Sequence, residues 1–471
     1  MLFSSVVFLF YFLPAVFVLY YALSFSRMAQ NILLLVASLF FYAWGEPVYV
    51  LLMLFSILFN SFAGYLVQKV GTQSHKKLVL WLSVACNIGL LFVFKYLGFV
   101  LSTVGITGFS IALPIGISFY TFQALSYVID VYRGDVKAEN PFYVGLFIAF
   151  FPQLIAGPIV QYNTIADQIR HRKNNWDMLC LGACRFVAGL GKKVLLSNTF
   201  AAIADNIFNW SSIGTDRLQV PVMLAWLGSI AYTLQIYYDF SGYSDMAIGL
   251  GAMFGFRFEE NFNYPYIAVS VSDFWRRWHI SLTNWFRDYV YIPLGGNRQK
   301  NKDYMVRNIF VVWLLTGIWH GANWTFIVWG LLHFALQLAE RFLGYANSTQ
   351  GSFLKHLYTL LVVNFAWVLF RVDDLYQAER FLMNMLGVNN NGFYSSYAVM
   401  FLRENWLFFL AGILFCTPIA RQTNQWLFQE PRTLGSRIVS IAYPAAMLLL
   451  FAVCVSYLAG GTYNPFIYFN F

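Results

Sequence analysis

The sequence predicts an all-α polytopic membrane protein, and three observations lead to that fold class. Of the 471 residues, 59% are hydrophobic and only 11% are charged. Soluble domains carry roughly 25% charged residues, so this chain has too few to cover a water-facing surface. The apolar residues also gather in long runs, and a membrane-spanning helix needs about 20 of them in succession. We therefore expect many spans within a single membrane domain that covers residues 1–471.

Twelve apolar runs are the predicted spans, and several are short enough to indicate tilted or broken helices. They cover residues 5–25, 31–44, 48–67, 78–100, 112–131, 178–205, 221–250, 307–321, 323–343, 354–371, 404–420 and 437–458. No basic residue precedes the first run and no small-residue cleavage pattern follows it. We therefore expect a retained first helix and not a removed signal peptide.

Residues 141–160 are expected to enter and leave the membrane on one side. Their centre contains Pro152, Gly157 and Pro158, which break a helix. Irregular backbone is tolerated at membrane depth where it lines an enclosed or wet cavity. The pattern therefore predicts a re-entrant segment and not a span.

Basic loops account for the net charge of +9. Such loops face the cytoplasm, so residues 68–77, 170–173 and 298–307 are predicted to be cytoplasmic. The most polar stretch, residues 257–306, predicts amphipathic or re-entrant structure at that interface. No soluble basic face interleaved with aromatic residues is visible, so we expect no nucleic-acid partner. The five cysteines lie in or beside apolar runs and indicate small hydrophobic residues; no metal site is expected.

His320 is the first candidate site residue. It lies in residues 316–324, TGIWHGANW, and an ionisable group at membrane depth is expensive and usually functional. If a helix begins near Arg307 at the cytoplasmic surface, thirteen residues at about 1.5 Å each place His320 roughly 20 Å deeper. Gly321 loosens the helix directly afterwards, so we expect a pocket that is approached from the cytoplasm. A structural hydrogen bond to a neighbouring helix is the alternative.

A second candidate group surrounds His279, which lies 41 residues upstream of His320. On a helix, Trp275, Trp278 and His279 share one face. Arg276 and Arg277 lie between these aromatic residues. Paired arginines beside a polar pocket bind phosphates bidentately, as coenzyme A or a phosphopantetheine carrier would require. As the alternative, they anchor the segment to anionic lipid headgroups.

Residues 237–245, YYDFSGYSD, place Asp239 and Asp245 at the end of an apolar helix. The simpler interpretation is that these carboxylates pair with arginines, namely Arg257, Arg276 or Arg277. Orientation of a catalytic imidazole is the alternative.

Neither a nucleophile elbow nor a Walker A loop is present in the sequence. The histidine-aspartate motif of peripheral glycerolipid acyltransferases is absent as well. Because no serine or cysteine nucleophile is evident, direct transfer with a histidine as general base is the simplest chemistry. Asp239, Ser241 and Asn323 are predicted to support that site.

Five strings in order closely resemble the membrane-bound O-acyltransferase (MBOAT) family and its AlgI-like subgroup, the membrane subunit of alginate and exopolysaccharide O-acetylation. They are residues 113–120 (LPIGISFY), 156–158 (AGP), 238–249 (YDFSGYSDMAIG), 274–282 (FWRRWHISL) and 319–322 (WHGA). The similarity covers the whole chain, from residues 2–5 (LFSS) to residues 463–469 (YNPFIYF).

The resemblance implies an MBOAT-type ring of about 11–12 transmembrane helices with re-entrant segments around a central funnel. It implies a multi-pass protein of the bacterial cytoplasmic (inner) membrane. There the subgroup moves an acyl group, typically acetyl, from a cytoplasmic thioester across the membrane. A periplasmic or extracellular acetyltransferase partner receives it and O-acetylates a polysaccharide. The expected donor is acetyl-CoA or an acyl-carrier thioester, no cofactor is expected to be bound permanently, and the chain also contacts membrane lipid.

The resemblance also implies roles for the two histidines. His320 corresponds to the family's catalytic histidine and His279 to its polar partner. His320 would act as general base or as a transient acyl carrier, while His279 would hold or polarise the donor thioester. Arg276 and Arg277, with Trp275 and Trp278, would bind the donor.

Two alternatives remain at this point. One is D-alanyl transfer from a carrier protein to teichoic acid. The other is a non-catalytic scaffold or transporter that recruits an extracellular acetyltransferase.

Overall fold

The computed structural model describes residues 1–106, 108–109, 111–212, 220–296, 302–345, 353–427, 434–461 and 463–467. Within these ranges the regular structure is helical and contains no strand, which confirms the predicted all-α class. The chain divides into two compact units. The first comprises Met1–Phe186 and Tyr243–Glu260, and the second comprises Val187–Gly242 and Asn261–Phe471.

The first unit begins with a π-helical turn, Phe8–Phe12, that continues into α1. Its helices are α1 (Leu13–Ala22), α2 (Arg27–Gly45), α3 (Val50–Lys69), α4 (Gln73–Leu91), α5 (Leu97–Thr103), α6 (Ile117–Arg133), α7 (Pro141–Ala149), α8 (Phe151–Leu154), α9 (Tyr162–His171) and most of α10 (Trp176–Gly191). Polar side chains cap the N-termini of several of these helices. The Ser26 side chain accepts a hydrogen bond from the amide of Ala29, and that of Asn140 accepts one from Tyr143.

Helices α7 and α8 interrupt the first unit where the re-entrant segment is predicted. Nine residues of α7 extend about 14 Å, less than half of a bilayer core of about 30 Å. The chain then breaks at Phe150, before Pro152. Side chains satisfy the freed backbone groups: Phe151 N donates to Ser38 Oγ at 3.1 Å, and Gln153 Nε2 donates to Phe147 O at 2.6 Å. The predicted helix break is confirmed, and α7 alone is too short to span the membrane.

The second unit holds the remaining helices and shares α12 with the first. They are α11 (Asn198–Ser212), α12 (Val222–Met253), α13 (Val271–Arg277), α14 (Ile280–Phe286), α15 (Lys302–His320), α16 (Trp324–Phe342), α17 (Phe353–Arg371), α18 (Leu375–Leu386), α19 (Ser396–Phe415), α20 (Ile419–Leu427) and α21 (Leu434–Ala459). A π-helical stretch, Lys192–Ser197, joins α10 to α11, and another, Arg287–Tyr291, follows α14.

Six helical stretches among the described residues are long and apolar enough to cross a membrane. They are Arg27–Gly45, Val50–Lys69, Gln73–Thr103, Phe353–Arg371, Ser396–Phe415 and Ala442–Ala459. Each of the twelve apolar runs coincides with helical structure. The predicted polytopic class is therefore confirmed, whereas the single domain, the ring with its funnel and the cytoplasmic loops stay predictions. Residues 298–301 of the third basic loop, and residues 468–469 of the closing string, lie outside the described residues.

Candidate active site

His320 is the last residue of α15, and the close packing of α15 on α16 fixes its position. A Cβ added to Gly317 would lie 2.5 Å from Phe326 O, and one added to Gly330 would lie 2.6 Å from a carbonyl of α15. Only glycines therefore fit at this crossing. The helix ends at His320, as the following Gly321 predicts, and the side chain is buried.

A narrow cavity of about 10 Å³ lies beside His320. Its described lining residues are Ile236, Phe240, Trp275, Trp278, His320, Trp367, Phe370 and Ile467. Among them, His320 is the one titratable side chain, and the rest are apolar or aromatic. Its ring centre lies 5.0 Å from that of Phe370 and 5.2 Å from that of Trp329. A space of this size holds about one water molecule, so the imidazole faces a small and mostly apolar chamber.

His279 does not lie on a helix, so the prediction that it shares a helical face with Trp275 and Trp278 is wrong. Between α13 and α14 its backbone takes the left-handed conformation, with φ 45° and ψ 53°. This conformation costs free energy for a residue with a Cβ, although histidine tolerates it better than most. Because no glycine or proline marks the break, the sequence gives no signal for it.

Asn261 stabilises this break and is not among the predicted site residues. Its backbone carbonyl accepts a hydrogen bond from Ile280 N at 3.0 Å. Its side-chain oxygen accepts from Ser281 N at 3.2 Å and from Ser281 Oγ at 2.9 Å. Asn261 thus caps α14 from the chain segment ahead of α13. Its place in a turn-rich stretch, residues 261–265, is the one signal that the sequence offers.

The ring of His279 is buried among aromatic side chains and is 1% exposed. Neither ring nitrogen has a hydrogen-bond partner among the described residues. The ring centre lies 4.5 Å from that of Phe240 and 6.1 Å from that of Trp319. Buried polar atoms without partners are costly and therefore point to a functional role or to a ligand.

Phe240 and Trp319 connect the two histidines. Phe240 contacts His279 and also lines the narrow cavity beside His320. The Trp319 ring lies 5.0 Å from that of His320 as well as 6.1 Å from that of His279. His279 itself does not line the cavity. The structure thus brings both predicted histidines into one aromatic shell, with only His320 facing the chamber.

Trp275 and Trp278 both line the narrow cavity. Trp275 Nε1 donates a hydrogen bond to His333 Nδ1 at 3.2 Å. His333 is buried, and its ring centre lies 4.8 Å from that of Trp329. His333 therefore fixes the orientation of Trp275 through packing and one hydrogen bond.

Trp275 also lines a second cavity, of about 300 Å³. Its described lining residues are Ser272, Trp275, Arg276, Thr283, Ile309, Gln337, Arg341 and Gly344. Arg276 belongs to it, but Arg277 does not. Arg276 lies 3.6 Å from the carboxylate of Asp273, whereas Arg277 lies 3.1 Å from it and also donates to Asn263 O. Of the two arginines predicted to bind the donor, Arg276 lines this cavity and Arg277 does not, and their role stays a prediction.

Arg341 lines the larger cavity together with Arg276. With Gln337 and His333 it forms a face of α16 at a spacing of four residues, a pattern visible in the sequence. Glu340, on the same helix, accepts hydrogen bonds from Ser272 N at 2.9 Å and Ser272 Oγ at 2.7 Å. Helix α16 therefore supplies polar groups to the cavity and also docks the start of α13.

Asp239 and Asp245 each have an ion-pair partner other than the three predicted arginines. Asp239 pairs with Lys193 at 2.5 Å, and Asp245 pairs with Arg185 at 2.9 Å. The expected partners were Arg257, Arg276 and Arg277. Two of them already have Asp273 three and four residues away, which is a local and therefore favoured partner.

A tight helix crossing brings Lys193 to Asp239. A Cβ on Gly242 would lie 2.9 Å from Gly189 O and 3.1 Å from Lys193 N. The absence of a side chain at Gly242 thus lets the π-helical stretch after α10 approach α12. Sequence spacing alone does not reveal such a contact, because 46 residues separate the paired side chains.

The other two predicted supporting residues differ in what they contact. The Ser241 hydroxyl is buried and has no hydrogen-bond partner among the described residues. Asn323 caps α16: its side-chain oxygen accepts a hydrogen bond from Thr325 N at 3.1 Å, and its amide donates to Asp373 O. Asn323 therefore holds the turn after His320 and does not line the narrow cavity.

Comparison with protein families finds one matching profile, that of the membrane-bound O-acyltransferase family, over residues 39–375. This range includes both histidines, both cavities' helical walls and the Asp239 pair. It leaves out the segment around Ile467, which also lines the narrow cavity.

Curated relatives cover the chain at several levels of similarity. A probable alginate O-acetylase AlgI of Pseudomonas aeruginosa is 39% identical over the full length of both chains. A peptidoglycan O-acetyltransferase of Helicobacter pylori is 37% identical over 83% of this chain and 80% of its own. A teichoic acid D-alanyltransferase of Bacillus subtilis is 31% identical over 48% of this chain and 59% of its own.

Proposed function

Because the chain belongs to the membrane-bound O-acyltransferase family, we propose that this multi-pass membrane O-acetyltransferase takes acetyl from acetyl-CoA, or an acyl-carrier thioester, on the cytoplasmic side. It delivers the acetyl group across the bacterial cytoplasmic membrane to a periplasmic or extracellular acetyltransferase, which O-acetylates a polysaccharide. One observation supports this most: Trp275 belongs to the walls of two cavities, one with His320 and one with two arginines.

His320 acts as the general base in this proposal. The acceptor oxygen attacks the thioester carbonyl carbon while its proton moves to the imidazole; the carbon–sulfur bond then breaks, and the thiolate takes up a proton. A positioned base of this kind contributes about 10² to 10⁴-fold to the rate. The small, mostly apolar chamber supports the role because it keeps bulk water from hydrolysing the thioester. The alternative role is that of a transient acyl carrier.

The larger cavity binds the donor in this proposal. Arg276 and Arg341 supply guanidinium groups that suit phosphate oxygens, and Ser272 and Gln337 add hydrogen-bonding groups. A volume of about 300 Å³ lies at the lower end of the range for small-molecule sites, so it suits part of the donor. The thioester then reaches His320 past Trp275.

His279 polarises or holds the thioester in this proposal. Its two unpartnered ring nitrogens supply a hydrogen-bonding group behind Phe240, which a shift of that ring would expose to the chamber. No described carboxylate hydrogen-bonds to the ring.

D-alanyl transfer is the second candidate, supported by the similarity to a teichoic acid D-alanyltransferase over half of the chain. Full-length similarity to an alginate O-acetylase favours acetyl. The third hypothesis is a non-catalytic scaffold, which would consume neither donor.

The test is donor turnover by the purified full chain in lipid nanodiscs with its periplasmic partner. Thiol release is measured with acetyl-CoA and, separately, with D-alanyl carrier protein. We expect release from acetyl-CoA and loss of that release in the His320→Ala variant. Release from the carrier alone would instead establish D-alanyl transfer. Equal turnover in the parent and the variant would rule out the role of His320, and turnover of neither donor would favour the scaffold.

A further inference from the structure

The Lys193–Asp239 ion pair is the most deeply buried pair of charges among the described residues, with side chains 2% and 1% exposed. Burial of two charges is costly, and an apolar pair of similar volume often serves stability as well or better. Ionisable groups that a membrane protein nevertheless keeps inside usually serve function. We therefore expect the pair to have a role beyond joining the π-helical stretch after α10 to α12.

Both charges also bind the backbone of residues 463–467. Lys193 Nζ donates a hydrogen bond to Pro465 O, and Asp239 Oδ2 accepts one from Ile467 N at 2.8 Å. Two weaker contacts lie on either side: Asn198 Nδ2 donates to Asn464 Oδ1 at 3.2 Å, and the Lys193 ammonium lies 5.9 Å from the Phe466 ring centre. The segment is thus held by one cation and one anion, two residues apart.

Ile467, at the end of this contact, lines the narrow cavity beside His320. The amide that fixes Ile467 is the one bound by Asp239. The position of one wall of the chamber therefore depends directly on the ion pair.

We propose that Lys193 and Asp239 form a clamp on residues 463–467, which sets Ile467 as a wall of the His320 chamber and excludes water from it. Both are then positioning residues, and this part rests on the proposed function of His320. Breaking the clamp lets water reach the acyl donor, so that thioester hydrolysis rises while transfer to the acceptor falls.

The clamp is directional, because each of its two charges binds a different kind of backbone group. Its cation faces a carbonyl oxygen and its anion faces an N–H. Exchanging the two side chains in the double variant K193D/D239K restores the ion pair but sets a carboxylate against a carbonyl and an ammonium against an N–H. A merely structural pair would tolerate the exchange, whereas the clamp would not.

The first experiment measures how accessible position 467 is and uses no substrate. Ile467→Cys is introduced into a full-length chain whose five native cysteines are alanine, and labelling by a water-soluble maleimide is followed in nanodiscs. We expect slow labelling in that background and labelling faster by about a hundredfold with Asp239→Asn or with the K193D/D239K exchange. Asp245→Asn, on the same helix but paired with Arg185, is the matched control and should label slowly.

The second experiment measures the ratio of donor hydrolysis to acceptor acetylation in the same variants with native cysteines. We expect the ratio to rise about tenfold in Asp239→Asn and in the exchange, and to stay at the parent value in Asp245→Asn. Equal maleimide labelling in parent and exchange would overturn the clamp. Faster labelling with an unchanged ratio would overturn its positioning role. If labelling changes as expected but the parent acetylates no acceptor, the clamp stands and the proposed function fails.

Discussion

Arg172 of the first unit and Lys193 of the second are both buried cations, and their partners differ. In the first unit, the acceptors of the Arg172 guanidinium among the described residues are neutral, namely Tyr20 Oη at 3.0 Å, Asn31 Oδ1 at 2.7 Å, Ile169 O at 3.0 Å and Phe254 O at 3.1 Å. One face of it stacks on Phe256 at 4.3 Å. In the second unit, the Lys193 ammonium pairs with the carboxylate of Asp239.

This difference in hydrogen-bond and ion-pair partners indicates a structural role for Arg172 and a functional role for Lys193. The acceptors of Arg172 belong to α1, α2, α9 and the chain after α12, so one side chain joins four parts of the first unit. Lys193 and Asp239 instead hold a short segment that forms a cavity wall. Burial alone does not assign a role to a charge; the groups that it binds do.

The largest expected effect falls on activity in the second unit. His320→Ala should lower acetylation of the cognate polysaccharide by about 10² to 10⁴-fold, because the general base is lost. Truncation of this buried ring also leaves a cavity, which should lower the free energy of unfolding by about 2 kcal/mol. Acetylation in cells at matched protein levels is the measurement, and exposed His75→Ala is the control. Acetylation at the parent level would remove the proposed mechanism.

Arg172→Met should lower stability and leave the chemistry of the folded protein unchanged. Loss of the guanidinium leaves several buried acceptors unsatisfied and should lower the free energy of unfolding by about 3 kcal/mol. Thermal unfolding in detergent checks this, with Arg172→Lys expected to lie between variant and parent. The hydrolysis-to-transfer ratio of the folded fraction should stay at the parent value. A raised hydrolysis-to-transfer ratio in Arg172→Met would show that Arg172, like Lys193, influences the His320 chamber.

Arg276 and Arg277 provide a neighbouring pair in which only one residue lines the larger cavity. Arg276→Ala should raise the KM for acetyl-CoA about tenfold, because a phosphate contact is lost. Arg277→Ala should leave the KM within about twofold of the parent value, since that side chain bonds to Asp273 and Asn263. The KM values of both variants are measured from initial rates over a range of acetyl-CoA concentration. Equal effects of both substitutions would place the donor elsewhere.

Asn323→Ala should have the smallest effect. Loss of the α16 cap should cost about 1 kcal/mol of stability, while kcat stays near the parent value because the side chain does not line the chamber. The measurements are thermal unfolding and donor turnover on the same preparation. A kcat lowered by tenfold or more would make Asn323 part of the site.

The sequence predicts the helices and the end of α15 well, because apolar runs and Gly321 act locally. Length, hydropathy and helix-breaking residues determine whether a stretch is helical in a bilayer, and all three are readable without tertiary contacts. The break before Pro152 follows from the same local rule. Family resemblance then adds the two histidines as a pair.

The partners of the charged residues are not predictable in this way. Asp239 pairs with Lys193 because of a helix crossing at Gly242, and the segment at Ile467 reaches both from more than 200 residues away. The spacing of Gln337 and Arg341 predicts a shared helical face, but the cavity that they line together with Arg276 is formed by tertiary packing. These contacts depend on tertiary packing, which spacing along the chain does not encode.

The left-handed backbone of His279 has a consequence for how its role is measured. Alanine at this position removes the imidazole and at the same time disfavours the conformation that joins α13 to α14, so its phenotype mixes two causes. Asparagine tolerates the same φ and ψ, and glycine adopts them without strain. His279→Asn and His279→Gly therefore separate the chemistry of the ring from the geometry of the chain, which a simple alanine scan would merge.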